Sequence, residues 1–445
     1  MDKTRAAIVV VVAAVAIGVG ISLAFQPSSN PPSIPPPSNN TSNNTPPPPN
    51  NGNNATDDQD NFTVLPDSDL PVVRDASLRV EKVIQGLSAP TSMTFLDRDD
   101  LLIVQKDNGR VRHVSNGALQ PASLLEVSVR SNSERGLLGL AVADRMGTSD
   151  VFLYFTEESN GDTRNRVYRY DWAGQANFGA GTLLLDLPGT PGPNHDGGKI
   201  ALGPDGLLYV IIGDLNRDGM LQNFRNGPSP DDTSVIIRVD RNGMAAGNPP
   251  LSDSDPAIDD ALAAYYAYGI RNSFGMDFDP LTGTLWDTEN GPADYDEINV
   301  VRPGFNSGWQ QVMGPIERTD DEVGDLVGFE GSQYSDPAFS WRQAEGITDI
   351  EFLNSTKLGE RYSFNIFVGD INNGNLYFFT VNDERDGISI DGPGLQDLVA
   401  DNRDEVSAVT FGSGFGGITD IETGPDGYLY ILTFGGDLYR IVPAK

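Results

Sequence analysis

One histidine stands where acid–base chemistry is possible. His195 lies in the loop GTPGPNHDGG (189–198), between Pro193-Asn194 and Asp196-Gly197-Gly198. Imidazole titrates near neutrality, and a loop of Gly and Pro leaves it approachable; a general base needs both. A surface histidine in a flexible loop is the plainer alternative. The chain has two histidines in all, and His113 alternates with Val111 on a strand-like segment, which reads as structural. Arg271-Asn272 follows Tyr268-Gly269-Ile270, and an Arg and Asn in such a loop can orient an oxyanion or a carbonyl. The segment TENGPADYDEIN (288–299) places Glu289, Asp294, Asp296 and Glu297 around a Gly291-Pro292 turn. Clustered carboxylates with free carbonyls suit calcium, although the spacing is not that of an EF-hand loop. A solvated acidic turn is the competing reading.

Composition narrows the chemistry. There is no cysteine, so disulfides, thiolate catalysis and Cys-ligated zinc or iron–sulfur centres are excluded. Two histidines argue against a multi-His transition-metal site and for oxygen ligands around a hard cation. The formal charge of −33 on 445 residues disfavours nucleic acid as a partner, since phosphates demand a basic face.

The elements that must position these loops form a repeat. The apolar cores LLIV (101–104), VFLYF (151–155), LLYVII (207–212), TLWDT (284–288), FNIFVG (364–369) and YLYILT (428–433) each follow a turn rich in Asp, Gly or Pro. GPDG occurs at 203–206 and 424–427, and DPLTG at 279–283. GRVRHV (109–114), NRVYRY (165–170), GNLYFF (374–379) and GDLYRI (436–441) follow as exit segments. Strand, turn and strand without helical periodicity predict an all-β repeat protein, a six-bladed β-propeller with long insertions. A β-sandwich or a pair of β domains is the alternative. Segment 76–85 is expected to pair into the last blade and close the ring, removing open edges.

Ahead of the repeats, residues 6–25 form an uncharged apolar stretch, preceded by Lys3 and Arg5 and followed by no Lys or Arg until Arg74. As a helix it would span about 30 Å, a bilayer core. The positive-inside rule then places the remainder outside the cytoplasm. Residues 1–25 read as a single-pass anchor, with a cleaved signal peptide and a secreted product as the alternative. Residues 26–63, rich in Pro, Asn, Ser and Thr, read as a disordered stalk, and 64–445 as the propeller. Asn39, Asn40, Asn43, Asn54 and Asn61 begin Asn-x-Ser/Thr triplets, candidate glycosylation sites.

GLSAPTSMTF (86–95), ERGLLGLAV (134–142), NHDGGKIALGPDGLLYVIIGD (194–214), YGIRNSFGMDFDPLTGTLWDTENGP (268–292), DEIN (296–299) and ITDIETGPDGYLYILT (418–433) occur in this order. On these segments, residues 78–445 resemble the glucose/sorbosone dehydrogenase family, the relatives of soluble quinoprotein sugar dehydrogenases. GIRN, ENGP and DEIN together are the most specific part. The resemblance implies pyrroloquinoline quinone (PQQ) and calcium over the central channel of a six-bladed propeller. It also implies a histidine that takes the proton of a sugar's C1 hydroxyl while hydride passes to the quinone C5. His195 matches that base, and Arg271 and Asn272 match a pair beside the quinone carbonyls. Gly291 and Pro292 match residues that offer carbonyls to calcium, with Asp294 and Asp296 beside them; Glu134 matches a polar residue of the quinone pocket. Asn194 and Lys199 join the cofactor set, and Trp341 is the candidate substrate contact. Two stretches where the family carries cations, 369–374 and 416–420, hold no Lys or Arg here, and Lys199 and Arg342 are the candidate replacements.

The expected protein is thus an extracytoplasmic, membrane-tethered, PQQ- and calcium-dependent aldose dehydrogenase that oxidises a sugar to its lactone and passes electrons to an acceptor the sequence does not identify. Two other classes stay open. A non-catalytic propeller binding a glycan or a protein would explain the missing cations. A calcium-dependent lactonase or other hydrolase would keep His195 and the carboxylates without a quinone.

Overall fold

Each repeated apolar core becomes the second strand of a sheet: Asp100–Gln105, Thr148–Ser159, Leu208–Ile212, Leu285–Glu289, Ile366–Asp370 and Leu429–Thr433. These strands have neighbours on both edges and lie between adjacent sheets, so Leu208–Ile212, Leu285–Glu289, Ile366–Asp370 and Leu429–Thr433 are buried throughout. A strand covered on both faces reads as a continuous apolar run instead of an alternating one, which is why the repeat is visible. The turns that feed three of them hold Gly206, Gly283 and Gly427 at φ +78°, +72° and +82°, a conformation that costs a residue without Cβ little.

This computed structural model describes residues 61–145, 147–390, 392 and 394–444. The expected anchor (1–25), most of the expected stalk (26–63) and the triplets at Asn39, Asn40, Asn43 and Asn54 lie outside the described residues. Among the described residues, no helix is long and apolar enough to cross a membrane.

The strands of the described residues form six sheets. Their innermost strands, Pro90–Asp97, Leu137–Arg145, Ile200–Leu202, Gly275–Phe278, Ile347–Phe352 and Ile418–Thr423, adjoin one another in that order, and the last adjoins the first. A closed ring of sheets is an all-β propeller, and it rules out the sandwich alternative. Carboxylates stitch neighbouring inner strands together. Asp277 accepts from the Phe352 N–H at 2.8 Å, Asp349 from Ile421 at 2.9 Å and Asp420 from Met93 at 2.6 Å. An inner strand has one edge without a partner strand, and these acceptors satisfy amides that would otherwise be buried unpaired.

The ring closes as expected. Leu78–Ile84, from before the first sheet, pairs antiparallel with Leu438–Pro443 in the last, Val80 opposite Ile441. Leu78, Val80 and Ile441 are buried there, each worth about 1.5–3 kcal/mol as apolar surface removed from water. Two short α-helices, Pro256–Leu262 and Arg403–Val409, are the α-helices of the described residues. The third sheet gains Phe305–Asn306 and Gln333–Tyr334 as parallel additions, and this insertion carries Trp309, whose indole N–H reaches Asp214.

Candidate functional site

A cavity of about 380 Å³ opens where the inner ends of the sheets converge. All six sheets or their connecting loops contribute to its wall, through Thr91, Glu134, Lys199, Phe274, Thr348 and Thr419 among others. A chamber lined by every sheet of a closed ring lies on the ring's axis, where loops from distant parts of the chain can meet.

Three loops meet beside it. His195 is 8% exposed and holds φ +65°. Its backbone N–H donates to Glu134 Oε2 at 2.6 Å, and its ring Nδ1 lies 2.6 Å from Asp214 Oδ1. Asp214, buried, also accepts from the Asn216 N–H and the Trp309 indole N–H, each at 2.6 Å. With Nδ1–H held by a carboxylate, Nε2 is the basic nitrogen. Gly213 lets the loops approach: a Cβ there would lie 2.5 Å from the His195 carbonyl oxygen and 2.6 Å from that of Arg271. Sequence reasoning passed over Asp214 and Trp309. Gly213-Asp214 looks like any turn, and Trp309 arrives from an insertion 114 residues after His195.

Arg271 and Asn272 belong to the same constellation. Asn272 donates to the same Glu134 Oε2 at 3.0 Å, so one carboxylate ties the histidine loop to the Arg-Asn loop. The Arg271 guanidinium packs 5.2 Å from the Trp309 ring centre and donates to the carbonyls of Asn290 and Gly291, at 2.8 and 3.1 Å. Burial lowers its pKa from the usual guanidinium value, against the pull of Asp214, Glu289 and Glu134. Beneath it, burial pushes the Glu289 carboxyl up to about 7, against the bond it accepts from the Arg271 N–H. Asp196, under the histidine loop, is pushed up to about 6 by burial, against its bond from Asn165 and the charge of Arg135.

Other expected residues fall elsewhere. The carboxylates of 289–297 do not converge. Asp296 is buried and spends its oxygens on the amides of Gly291, Glu345 and Gly346, at 3.0, 2.8 and 2.6 Å. Asp294 is exposed, and Glu297 accepts from the Gly314 amide. Among the described residues, no group of three or more His, Asp or Glu is arranged to hold a metal. Asp294 and Asp296 of the expected calcium set thus meet different surroundings, one facing solvent and the other bound by backbone amides. The Gly291 carbonyl faces Arg271.

Trp341 is fully buried in the fourth sheet, 5.1 Å from the Tyr377 ring, and is a core residue instead of a substrate contact. Arg342, 59% exposed, pairs outward with Asp401 and does not line the cavity. Asn194 is exposed at the rim and accepts from Ser133 Oγ. Lys199 lines the cavity, but its ammonium lies between Asp349 at 2.7 Å and Asp420 at 2.6 Å. Burial alone would lower its pKa; the two carboxylates outweigh burial and hold it well above the lysine value. His113 is bonded to Asp100 at 2.7 Å and packs edge-on against Trp172.

The donor set suits a flat, acidic ring system. Arg271 Nε and Asn272 Oδ1 are buried without a partner, a cost of about 1–3 kcal/mol each that a ligand offering both an acceptor and a donor would relieve. Leu138, Phe274, Ile371 and Phe434 give the cavity apolar surface for a ring face, and Lys106 joins Lys199 as a cation in its wall.

Known proteins share this plan. Aldose sugar dehydrogenase YliI of Escherichia coli (strain K12) is 26% identical over 377 residues, covering 83% of this chain and 94% of that protein. The apo-form structure of the soluble aldose sugar dehydrogenase from Escherichia coli superposes with a TM-score of 0.65 at 24% identity, over 82% of this chain and 100% of that one. The PQQ-bound aldose sugar dehydrogenase of Streptomyces coelicolor superposes with a TM-score of 0.60 at 23% identity, over 83% of this chain and 99% of that one. The family described as Glucose / Sorbosone dehydrogenase matches residues 87–440, and this chain, as its motifs indicated, belongs to that family.

Proposed function

We propose that this protein is a PQQ-dependent aldose dehydrogenase that oxidises the C1 hydroxyl of a sugar to the lactone, with His195 as the general base. The observation that carries the reading is the His195–Asp214 pair, at 2.6 Å, tied with Asn272 to Glu134 in the wall of the axial cavity. The six sheets are read as six blades, with the loops of one face surrounding the substrate. A family relative bound to PQQ supports the cofactor.

In this reading Arg271, Asn272 and Glu134 hold the cofactor's polar edge, and Leu138, Phe274 and Phe434 cover its ring. When bound, the quinone would supply a two-electron acceptor for the hydride of C1. His195 Nε2 takes the C1 hydroxyl proton, and Asp214 stabilises the imidazolium so formed. Trp309 and Asn216 fix Asp214, and Arg271 lies within reach of charge that develops beside it. Calcium is proposed as a bound ion near the Gly291-Pro292 carbonyls, and no step depends on it. The apolar stretch 6–25 is proposed as a membrane anchor that leaves the propeller outside the cytoplasm.

The test is reconstitution of the purified protein with PQQ and calcium, followed by reduction of an electron-accepting dye in the presence of a panel of aldoses. Turnover that requires both PQQ and sugar is expected. No PQQ binding and no turnover would replace this reading with the non-catalytic propeller, which the cation-free stretches 369–374 and 416–420 favour.

A further inference from the structure

We propose that Lys106 is the cation that binds the cofactor's carboxylates, in place of the cationic positions that 369–374 and 416–420 lack. The inference rests on the quinone reading above. PQQ is a flat aromatic tricarboxylate, and a chain of formal charge −33 must meet it with local positive charge.

Two lysines line the axial cavity, Lys106 and Lys199. Lys199 is already committed to two buried carboxyl groups, Asp349 and Asp420. Lys106 differs in its partners, one exposed carboxylate and one backbone carbonyl. Its ammonium has three N–H donors, and two are used, toward Asp107 Oδ1 at 2.8 Å and the Ser131 carbonyl at 3.1 Å. The lysine side chain is 11% exposed, whereas its partner Asp107 is 49% exposed and screened by water. One donor and most of one positive charge are left for a ligand in the cavity.

The site is also built to hold this side chain. Lys106 follows the second strand of the first sheet, where its N–H donates to the Ala89 carbonyl at 2.9 Å and its carbonyl accepts from Leu137 at 3.0 Å. Gly136 sits against it at φ +146°, where a Cβ would come within 2.6 Å of Lys106 Cγ. The absence of a side chain at 136 leaves the space through which the lysine stem reaches the cavity wall. Glu134, two residues away, is occupied by His195 and Asn272, so the carboxylate and the ammonium of this wall serve different partners. The first sheet thus supplies a cation that the loops of the fifth and sixth sheets do not.

The experiment titrates PQQ into the purified full chain without added sugar, followed by absorbance at low and high salt. Wild type is compared with Lys106→Met, which keeps the stem, and Lys106→Arg, which keeps the charge. Lys106→Met should weaken PQQ binding roughly 10- to 100-fold, the share of a charge-assisted bond in a sheltered site. Its affinity should also depend less on salt than that of wild type. Lys106→Arg should retain most of the affinity, and the melting temperatures of the cofactor-free proteins should match. If Lys106→Met does not fold, Lys106→Gln reads out the same loss. Equal PQQ affinity in wild type and the neutral variants would overturn the role of Lys106 and leave the quinone reading standing. No PQQ binding by wild type would overturn the quinone reading and this inference with it.

Discussion

Replacing Asp214 by Asn tests the proposed base through its support. Three donors converge on this carboxylate: His195 Nδ1, the Asn216 N–H and the Trp309 indole N–H, each 2.6 Å away. An amide of the same shape has one accepting oxygen. If that oxygen serves His195 and Asn216, its NH₂ faces the Trp309 N–H, and a buried donor is left unpaired at a cost of about 1–3 kcal/mol. The melting temperature of Asp214→Asn should therefore fall by a few degrees. Catalysis should suffer more specifically. The bond from an imidazolium to a carboxylate is charge-assisted and worth about 1.5–3 kcal/mol, and it reaches that strength only once His195 has taken the proton. At about 1.4 kcal/mol per tenfold in rate, kcat should drop roughly 10- to 100-fold, with little change in KM. Steady-state dye reduction against aldose concentration measures the first effect, and thermal melting followed by circular dichroism the second. A folded Asp214→Asn protein that keeps wild-type kcat would refute the assignment of His195 as a base oriented by Asp214.

Other perturbations reach different parts of the reading. His195→Gln should fold and bind cofactor as wild type does while lowering turnover by roughly 10²–10⁴, the usual share of a positioned base; an active variant would place the base elsewhere. If calcium binds the native state, a hundredfold excess over Kd adds about 2.7 kcal/mol, so EGTA should lower the melting temperature, and an unchanged value would count against the ion. Burial pushes Asp277 up to about 7 and Glu422 up to about 8 in the axial channel. The folded state then binds more protons than the unfolded chain, so stability should decline as pH rises from about 4 toward 8. Glu422→Gln should flatten that decline in melts across the range, and an identical slope would exclude Glu422 as a source. Protease added to intact cells should release the propeller by cutting within 26–60; protection until the membrane is broken would reverse the proposed orientation.

The repeat was readable because of where its strands lie. Runs such as LYVII and LYILT are flanked by strands on both edges and sheets on both faces, so burial leaves a mark in a single stretch of residues. Gly206 and Gly427 mark their turns for a reason equally local, a positive φ. Segment 76–85 could be placed in the last sheet because a closed ring needs a partner for its final strand, and Leu78–Ile84 supplies it. His195, Arg271 and Asn272 were legible through residue type and motif, and one Glu134 oxygen connects them.

What depended on the tertiary structure is what depends on direction and distance. Asp294 and Asp296 look like a ligand pair in sequence, yet one is exposed and the other is consumed by four backbone amides. Trp341 looks like a sugar platform and is sealed in the core, because its strand turns it toward Tyr377 and away from the axis. Lys199 and Arg342 carry the same charge as Lys106, but one is held between Asp349 and Asp420 and the other points outward to Asp401. Asp214 and Trp309 carry no local mark of their role, since their partners lie 19 and 95 residues away along the chain. Local burial and backbone conformation leave their trace in neighbouring residues; the charge balance of an axial cavity is set by side chains from six sheets that only the closed ring brings together.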